Sequence, residues 1–288
     1  MATTGLRGRD IAAIWCIAAA IAVPLLVWML SAMRSLDVPR SQAFLEYNTA
    51  RVDDFQQATA AGARGVVLMG DSRVRYGTEL QADLSSRLTT ELGQDVAVLR
   101  LSYDWATFED FEPLMPMILD AEPELILLQE ELRLKNRGYD ASEAIKREYL
   151  WWKLLGDDLW NPGGNEQIYY QEEMTCEAVG AQDLGVRLNR LARWVDYDEA
   201  GDSAKKVQLF IEQLGQAEID FRYLDVPIST EARLVLPGVE LTQAPLGLSP
   251  NVTFDDLNYC DEVHMDPVAR AAYTDWFITA IAQELSSL

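Results

Sequence analysis

Histidine is almost absent from this chain: His264 is the only one in 288 residues. Any chemistry that needs an imidazole near neutral pH must therefore run through that single side chain. Positive charge is also scarce, with 24 Lys and Arg against 46 Asp and Glu and a net charge of −22. So negative a net charge argues against binding a nucleic acid backbone, which needs clustered Lys and Arg, and against docking on an anionic membrane surface. The three cysteines are Cys16, Cys176 and Cys260. They form no Cys-x-x-Cys and no Cys/His cluster, which argues against a zinc site. There is no glycine-rich dinucleotide fingerprint, no Walker-type phosphate loop, no internal repeat and no low-complexity segment. No metal and no cofactor is expected from these patterns.

Charge is missing altogether from residues 11–33, which are almost wholly apolar. At about 1.5 Å per residue such a run can cross a hydrocarbon core of about 30 Å. Pro24 is tolerable inside a spanning helix. The apolar region of a signal peptide is shorter, about 7–15 residues, and ends at a small-residue cleavage site. Leu30-Ser31-Ala32-Met33 fits such a site poorly, so an uncleaved single-pass anchor is expected. Arg7 and Arg9 precede the run and Arg34 and Arg40 follow it, so the positive-inside count is a tie. The organisation read from the sequence is a tail at 1–10, a transmembrane helix at 11–33, a juxtamembrane helix or linker at 34–63, and a folded domain at 64–288.

That domain is organised around Gly65-Val66-Val67-Leu68-Met69-Gly70-Asp71-Ser72. A four-residue apolar run breaks at Gly-Asp-Ser, and helix formers follow. The pattern reads as a buried strand, a tight turn and a helix start. A serine on such a turn stands at the C-terminal edge of a sheet, beside unpaired helical N–H groups that favour negative charge. Ser72 is thus a candidate nucleophile, or alternatively a helix cap. A serine hydroxyl becomes nucleophilic when a base takes its proton, and the base works best when a carboxylate orients it. Asp261-Glu262-Val263-His264 supplies both, with Asp261 three residues before His264 and just ahead of the last helix.

Gly70-Asp71-Ser72 after an early strand, paired with Asp261-x-x-His264 near the end, resembles the SGNH (GDSL-like) hydrolase and acyltransferase superfamily. The resemblance spans roughly residues 64–288. It implies a three-layer α/β/α, flavodoxin-like fold with a mostly parallel sheet, and acyl-ester chemistry at Ser72 with His264 as base and Asp261 as its orienter. It also implies an oxyanion hole. The N–H of Ser72 is one expected donor. The family's glycine in the loop after the second strand is replaced by Trp105, whose backbone N–H takes that place by spacing. The family's Gly-x-Asn after the third strand is absent, and Gln129 is the candidate amide there. Asp71, Arg73, Arg75, Trp151 and Trp152 are the candidate substrate-binding residues, the arginines for an anionic substrate and the tryptophans for the faces of sugar rings.

The remaining elements follow from local pattern. A helix is expected over 78–92, closed by Gly93. Strands are expected at 96–101, 125–129 and 219–226, and a helix runs through Phe111, Leu114, Met115 and Ile118. Residues 137–202 read as an aromatic-rich insertion. A helix over 203–214 is capped by Asp202 or Ser203, and the last helix, 267–285, by Asp266. Cys176 and Cys260 either pair, in an oxidising compartment, or remain free thiols.

Two functions compete. One is a membrane-anchored serine acyl-transfer enzyme, an O-acetyltransferase or esterase, acting on a cell-envelope or secreted polysaccharide. In the resembled family, singly anchored members work beside a multi-spanning membrane acyl carrier. Its domain would then face the periplasm or cell exterior from the cytoplasmic membrane. The other is a scaffold subunit of a larger membrane assembly that has kept the fold and lost the reaction.

Overall fold

A computed structural model describes residues 15–25, 39–102, 106–135, 201–229, 232, 247–248, 259–261 and 263–288. The chain divides into two units, Met1–Gln42 and Ala43–Leu288. In the first unit residues 15–25 form a helix, α1, whose apolar side chains, among them Trp15, Ile17 and Ile21, are exposed. The expected span of 11–33 reaches beyond the described residues on both sides. Among the described residues no helix is long and apolar enough to cross a membrane.

The second unit is built on a parallel sheet. Its strands are β1 (Arg64–Gly70), β2 (Val96–Ser102), β3 (Leu125–Gln129), β4 (Asp220–Leu224) and the two-residue β5 (Gly247–Leu248), in the order β2-β1-β3-β4-β5. This is the flavodoxin-like order. Strands β1 and β3 lie side by side, pairing Val66 with Leu125 through Met69 with Leu128. The chain leaves β1 toward β2 on one side and returns through β3 on the other. The crevice at such a reversal, outside the C-terminal strand ends, is where α/β sheets place their sites.

Alternation along the strands sorts the side chains into two cores. Val67, Met69, Leu99, Leu101, Ile126 and Leu128 face one layer, where α2 (Pro39–Ala60) contributes Phe44, Val52 and Phe55 and α6 (Asp202–Gln216) contributes Val207, Phe210 and Leu214. Val66, Leu68, Val98, Leu125 and Leu127 face the other, against Leu84 and Leu88 of α4 (Gln81–Leu92) and Tyr273, Phe277 and Ile281 of α7 (Pro267–Ser287). Each such buried side chain stabilises the fold by about 1.5–3 kcal/mol relative to exposure. The result is the three-layer α/β/α arrangement with a parallel sheet.

Several boundaries differ from those read in the sequence. The helix expected over 78–92 starts at Gln81, because residues Ser72–Gly77 form a separate short helix, α3, that ends where Thr78 turns extended. Gly93 closes α4 in the left-handed region, as its position suggested. The helix expected through Phe111 is two 3₁₀ turns, Phe108–Asp110 and Glu112–Leu114, followed by α5 (Met115–Asp120). Pro113 and Pro116 each sit in a first turn, where a missing N–H is tolerated, so the segment restarts instead of running on. Gly201, not Asp202 or Ser203, is the N-cap of α6. Strand β4 is confined to residues 220–224 of the expected 219–226. Asp266 caps α7, its Oδ1 accepting from the Ala269 N–H at 2.8 Å.

Candidate active site

Strand β1 ends on a glycine because its neighbours leave no room for a side chain. A Cβ on Gly70 would overlap Val74 Cγ2 and stand 2.7 Å from Gln129 Oε1. The chain can therefore fold back tightly into α3. Asp71 caps that helix, its Oδ1 accepting from the Arg73 N–H at 2.9 Å. Capping falls to Asp71, so the Ser72 hydroxyl is left for another partner. As the first helical residue, Ser72 also has a backbone N–H with no partner inside the helix.

That partner is the histidine. Ser72 Oγ lies 2.8 Å from His264 Nε2, across 192 residues of sequence. His264 Nδ1 lies 2.8 Å from Asp261 Oδ2. An ionised carboxylate can only accept, so the Nδ1 proton donates to Asp261 and the Nε2 lone pair faces the Ser72 hydroxyl. The loop that carries both residues is fixed locally. Asp261 Oδ1 accepts from the N–H groups of Val263 at 3.0 Å and His264 at 2.8 Å. The Cys260 N–H donates to the His264 carbonyl at 2.9 Å, and Tyr259 bridges to Met265. Burial pushes the Asp261 carboxyl up, but the hydrogen bond and charge of His264 and the two backbone N–H groups outweigh it and hold the group below the usual carboxylate range.

Beneath the serine turn lies a buried ion network. Arg73 donates through Nη2 to Asp71 Oδ2 at 3.0 Å and through Nη1 to Glu131 Oε1 at 2.6 Å. Lys135 Nζ stands 3.4 Å from Asp71 Oδ2. The Lys135 carbonyl accepts from Ser203 Oγ, which also contacts Glu109 Oε1, both at 3.0 Å. The serine turn, the segment after β3 and the start of α6 are thus bonded to one another. Burial alone would raise the Asp71 carboxyl; the charges of Arg73 and Lys135 and the bonds from Arg73 reverse this and hold it well below the usual range. Burial keeps the Lys135 ammonium below its ordinary value despite Asp71 alongside.

The structure places three of the candidate substrate-binding residues away from solvent. Asp71, Arg73 and Arg75 are all buried. Helix α3 turns its Arg73, Val74, Arg75 and Gly77 positions inward, and only Ser72 and Tyr76 stay half-exposed. The Asp71 and Arg73 charges are spent on each other, on Glu131 and on Lys135, not offered to a ligand. Gln129 is likewise fully buried. Its Oε1 accepts from the Asp71 N–H at 2.8 Å, tying the end of β3 to the nucleophile turn, while its Nε2 has no partner among the described residues. Trp105, Trp151, Trp152 and Cys176 lie outside the described residues. Cys260 is buried and disulfide-bonded, and Cys16 is a free thiol.

The structure thus brings Ser72, His264 and Asp261 together in one relay. Sequence reasoning missed Glu131 and Lys135, which carried no signal beyond being charged residues after an apolar strand. It also passed over Tyr76, which lies one helical turn beyond Ser72.

No protein-family model and no curated protein matches the chain. Among solved structures, a lipase/acylhydrolase from Enterococcus faecalis is 16% identical, with a TM-score of 0.32, over 77% of this chain and 96% of that one. The lipase Lip_vut3 from a goat rumen metagenome is 11% identical, with a TM-score of 0.39, over 76% and 97%. An active-site mutant of a family two carbohydrate esterase from Clostridium thermocellum is 9% identical, with a TM-score of 0.30, over 78% and 65%. Likenesses this distant carry no argument about activity, which rests on the geometry above.

Proposed function

We propose that this chain is a serine acyl-transfer enzyme of the SGNH (GDSL-like) kind, an O-acetyltransferase or esterase. The observation that carries the reading is the Asp261–His264–Ser72 relay, with both links at 2.8 Å. Ser72 Oγ attacks the acyl carbonyl carbon while its proton passes to His264 Nε2. The tetrahedral intermediate collapses, the ester C–O bond breaks, and the leaving oxygen takes the proton from Nε2. Water or an acceptor hydroxyl then gives a proton to Nε2 as its oxygen attacks the acyl-enzyme. Breakdown of the second intermediate returns the proton to Ser72 Oγ. Asp261 holds the tautomer and stabilises the imidazolium that forms at each stage. The N–H of Ser72 and that of Trp105 are the proposed oxyanion donors. Gln129 acts as a brace for the turn.

The chain is anchored by residues 11–33 in the cytoplasmic membrane, with the acidic domain on the periplasmic or outer side. The uncharged run and the exposed apolar side chains of residues 15–25 support this. As an esterase it would hydrolyse an O-acyl, chiefly O-acetyl, ester on an envelope or secreted polysaccharide; as a transferase it would take the acyl group from a multi-spanning membrane acyl carrier and place it on a hydroxyl of that polysaccharide. Trp151 and Trp152 are its proposed sugar-stacking residues. The rival scaffold reading draws on the missing Gly-x-Asn and the burial of Gln129.

The test is turnover of p-nitrophenyl acetate by the purified full-length protein, with and without an acceptor polysaccharide. Release of p-nitrophenol that disappears in Ser72→Ala supports acyl transfer, and acetyl found on the polysaccharide assigns the transferase. Folded wild type that releases none would leave the scaffold as the better account.

A further inference from the structure

We infer that Tyr76 is a positioning residue for the catalytic base: its ring packs on the His264 imidazole, fixing the ring toward Ser72 and stabilising its charged form. The inference rests on the acyl-transfer reading for its effect on rate, though not for the contact itself. The two rings have their centroids 4.2 Å apart and are tilted by 40°. Residues four apart share one face of a helix, so Ser72 and Tyr76 point the same way from α3. They are also the half-exposed positions of a helix whose other side is buried. His264 is held at two points of that face, its Nε2 edge by the Ser72 hydroxyl and its ring plane by Tyr76. Asp261 grips the opposite edge at Nδ1. The carboxylate restrains the ring about one axis only, and a ring packed against its face removes the remaining swing.

Charge gives the contact a second role. When Nε2 takes the Ser72 proton, the imidazole becomes cationic for the lifetime of the intermediate. A cation within about 6 Å of an aromatic centroid is attracted by the electron-rich ring face. The Arg75 guanidinium carbon also lies 5.9 Å from the Tyr76 ring centroid. The role belongs to the aromatic ring, and phenylalanine should fill it.

The experiment compares full-length wild type, Tyr76→Phe and Tyr76→Leu. Because the chain has one histidine, selective histidine labelling gives a single imidazole signal in NMR. The Tyr76 ring current should displace that signal in wild type. Tyr76→Phe should keep the displacement and Tyr76→Leu should lose it. In parallel, fluorophosphonate labelling of Ser72 should slow about 10-fold in Tyr76→Leu and stay within about twofold of wild type in Tyr76→Phe. With p-nitrophenyl acetate the Leu variant should lose kcat at an unchanged KM. A Leu variant with the wild-type imidazole shift or the wild-type labelling rate would overturn the proposal. The shift does not depend on turnover. If folded wild type never labels, the acyl-transfer reading fails, and the spectra of the Leu and Phe variants alone decide the contact.

Discussion

Replacing Arg73 by leucine should destabilise the domain severely, although Arg73 touches neither Ser72 nor His264 through any bond described above. The side chains of Arg73, Asp71 and Glu131 are only 6%, 7% and 10% exposed. The guanidinium is shared between the two carboxylates, so its removal strands both in a dry setting. Breaking a buried pair by deleting one partner costs about 3–5 kcal/mol. The loss is not doubled, because Lys135 still stands 3.4 Å from Asp71. Against a domain stability of about 5–15 kcal/mol this is a large share. With a urea slope of about 3 kcal/mol/M, the midpoint should fall by about 1–1.7 M. Urea unfolding followed by tryptophan fluorescence measures it. The double variant Arg73→Leu/Glu131→Leu should recover much of the loss, because a buried ion pair replaced by apolar groups is often neutral. A midpoint shift under about 0.3 M for Arg73→Leu would refute the claim that these charges are buried and mutually dependent.

Two further predictions concern Gly70 and the carboxyls of Asp71 and Asp261. Gly70→Ala should destabilise by about 1–3 kcal/mol or more, as overpacking does, because the new methyl meets Val74 and Gln129 Oε1; thermal melts of the variant check it, and an unchanged Tm would show that the turn has slack. Asp71 and Asp261 both have folded carboxyl values below the ordinary 3.8. Their stabilisation is complete above that value and is lost as pH falls through their folded values. Urea midpoints should therefore decline from about pH 4 downward, and Asp71→Asn, less stable at pH 7, should show a flatter acid limb; an equally steep limb in the variant would remove Asp71 from the account.

Much of the fold was legible because the signals were local and periodic. Val66–Met69 and Leu125–Gln129 are apolar runs bounded by turn residues, and both became central strands of the parallel sheet. Gly93 and Asp266 closed and opened helices where their cap chemistry placed them. The boundaries that failed lie where two elements abut. Gln81–Leu92 was merged with the turn before it because nothing in Thr78-Glu79-Leu80 breaks a helical pattern. The 3₁₀ turns at 108–114 were smoothed into one helix although Pro113 and Pro116, which make the segment restart, are visible in the sequence.

At the site, Ser72, Asp261 and His264 stood out because their chemistry is specific and the chain has one histidine. The arginines beside Ser72 misled the reading. In sequence, Arg73 and Arg75 look like solvent-facing charges in a first helical turn. Arg73 is buried against Glu131, and its partner Asp71 against Lys135, both about sixty residues away and near only once β1 and β3 are paired. A buried ion network is a tertiary fact with no periodic signature. Tyr76 was within reach, since i,i+4 spacing from the nucleophile is visible in the sequence. What it packs against was not, because His264 lies 188 residues further along.

The central claim is that Ser72 is an activated nucleophile driven by His264. The most direct measurement is covalent labelling of purified full-length protein with a fluorophosphonate probe, alongside Ser72→Ala and His264→Ala. The account predicts rapid modification at Ser72 in wild type, none in Ser72→Ala, and a rate at least about 100-fold lower in His264→Ala. A folded wild type that stays unmodified, or a His264→Ala variant that labels as fast as wild type, would contradict it.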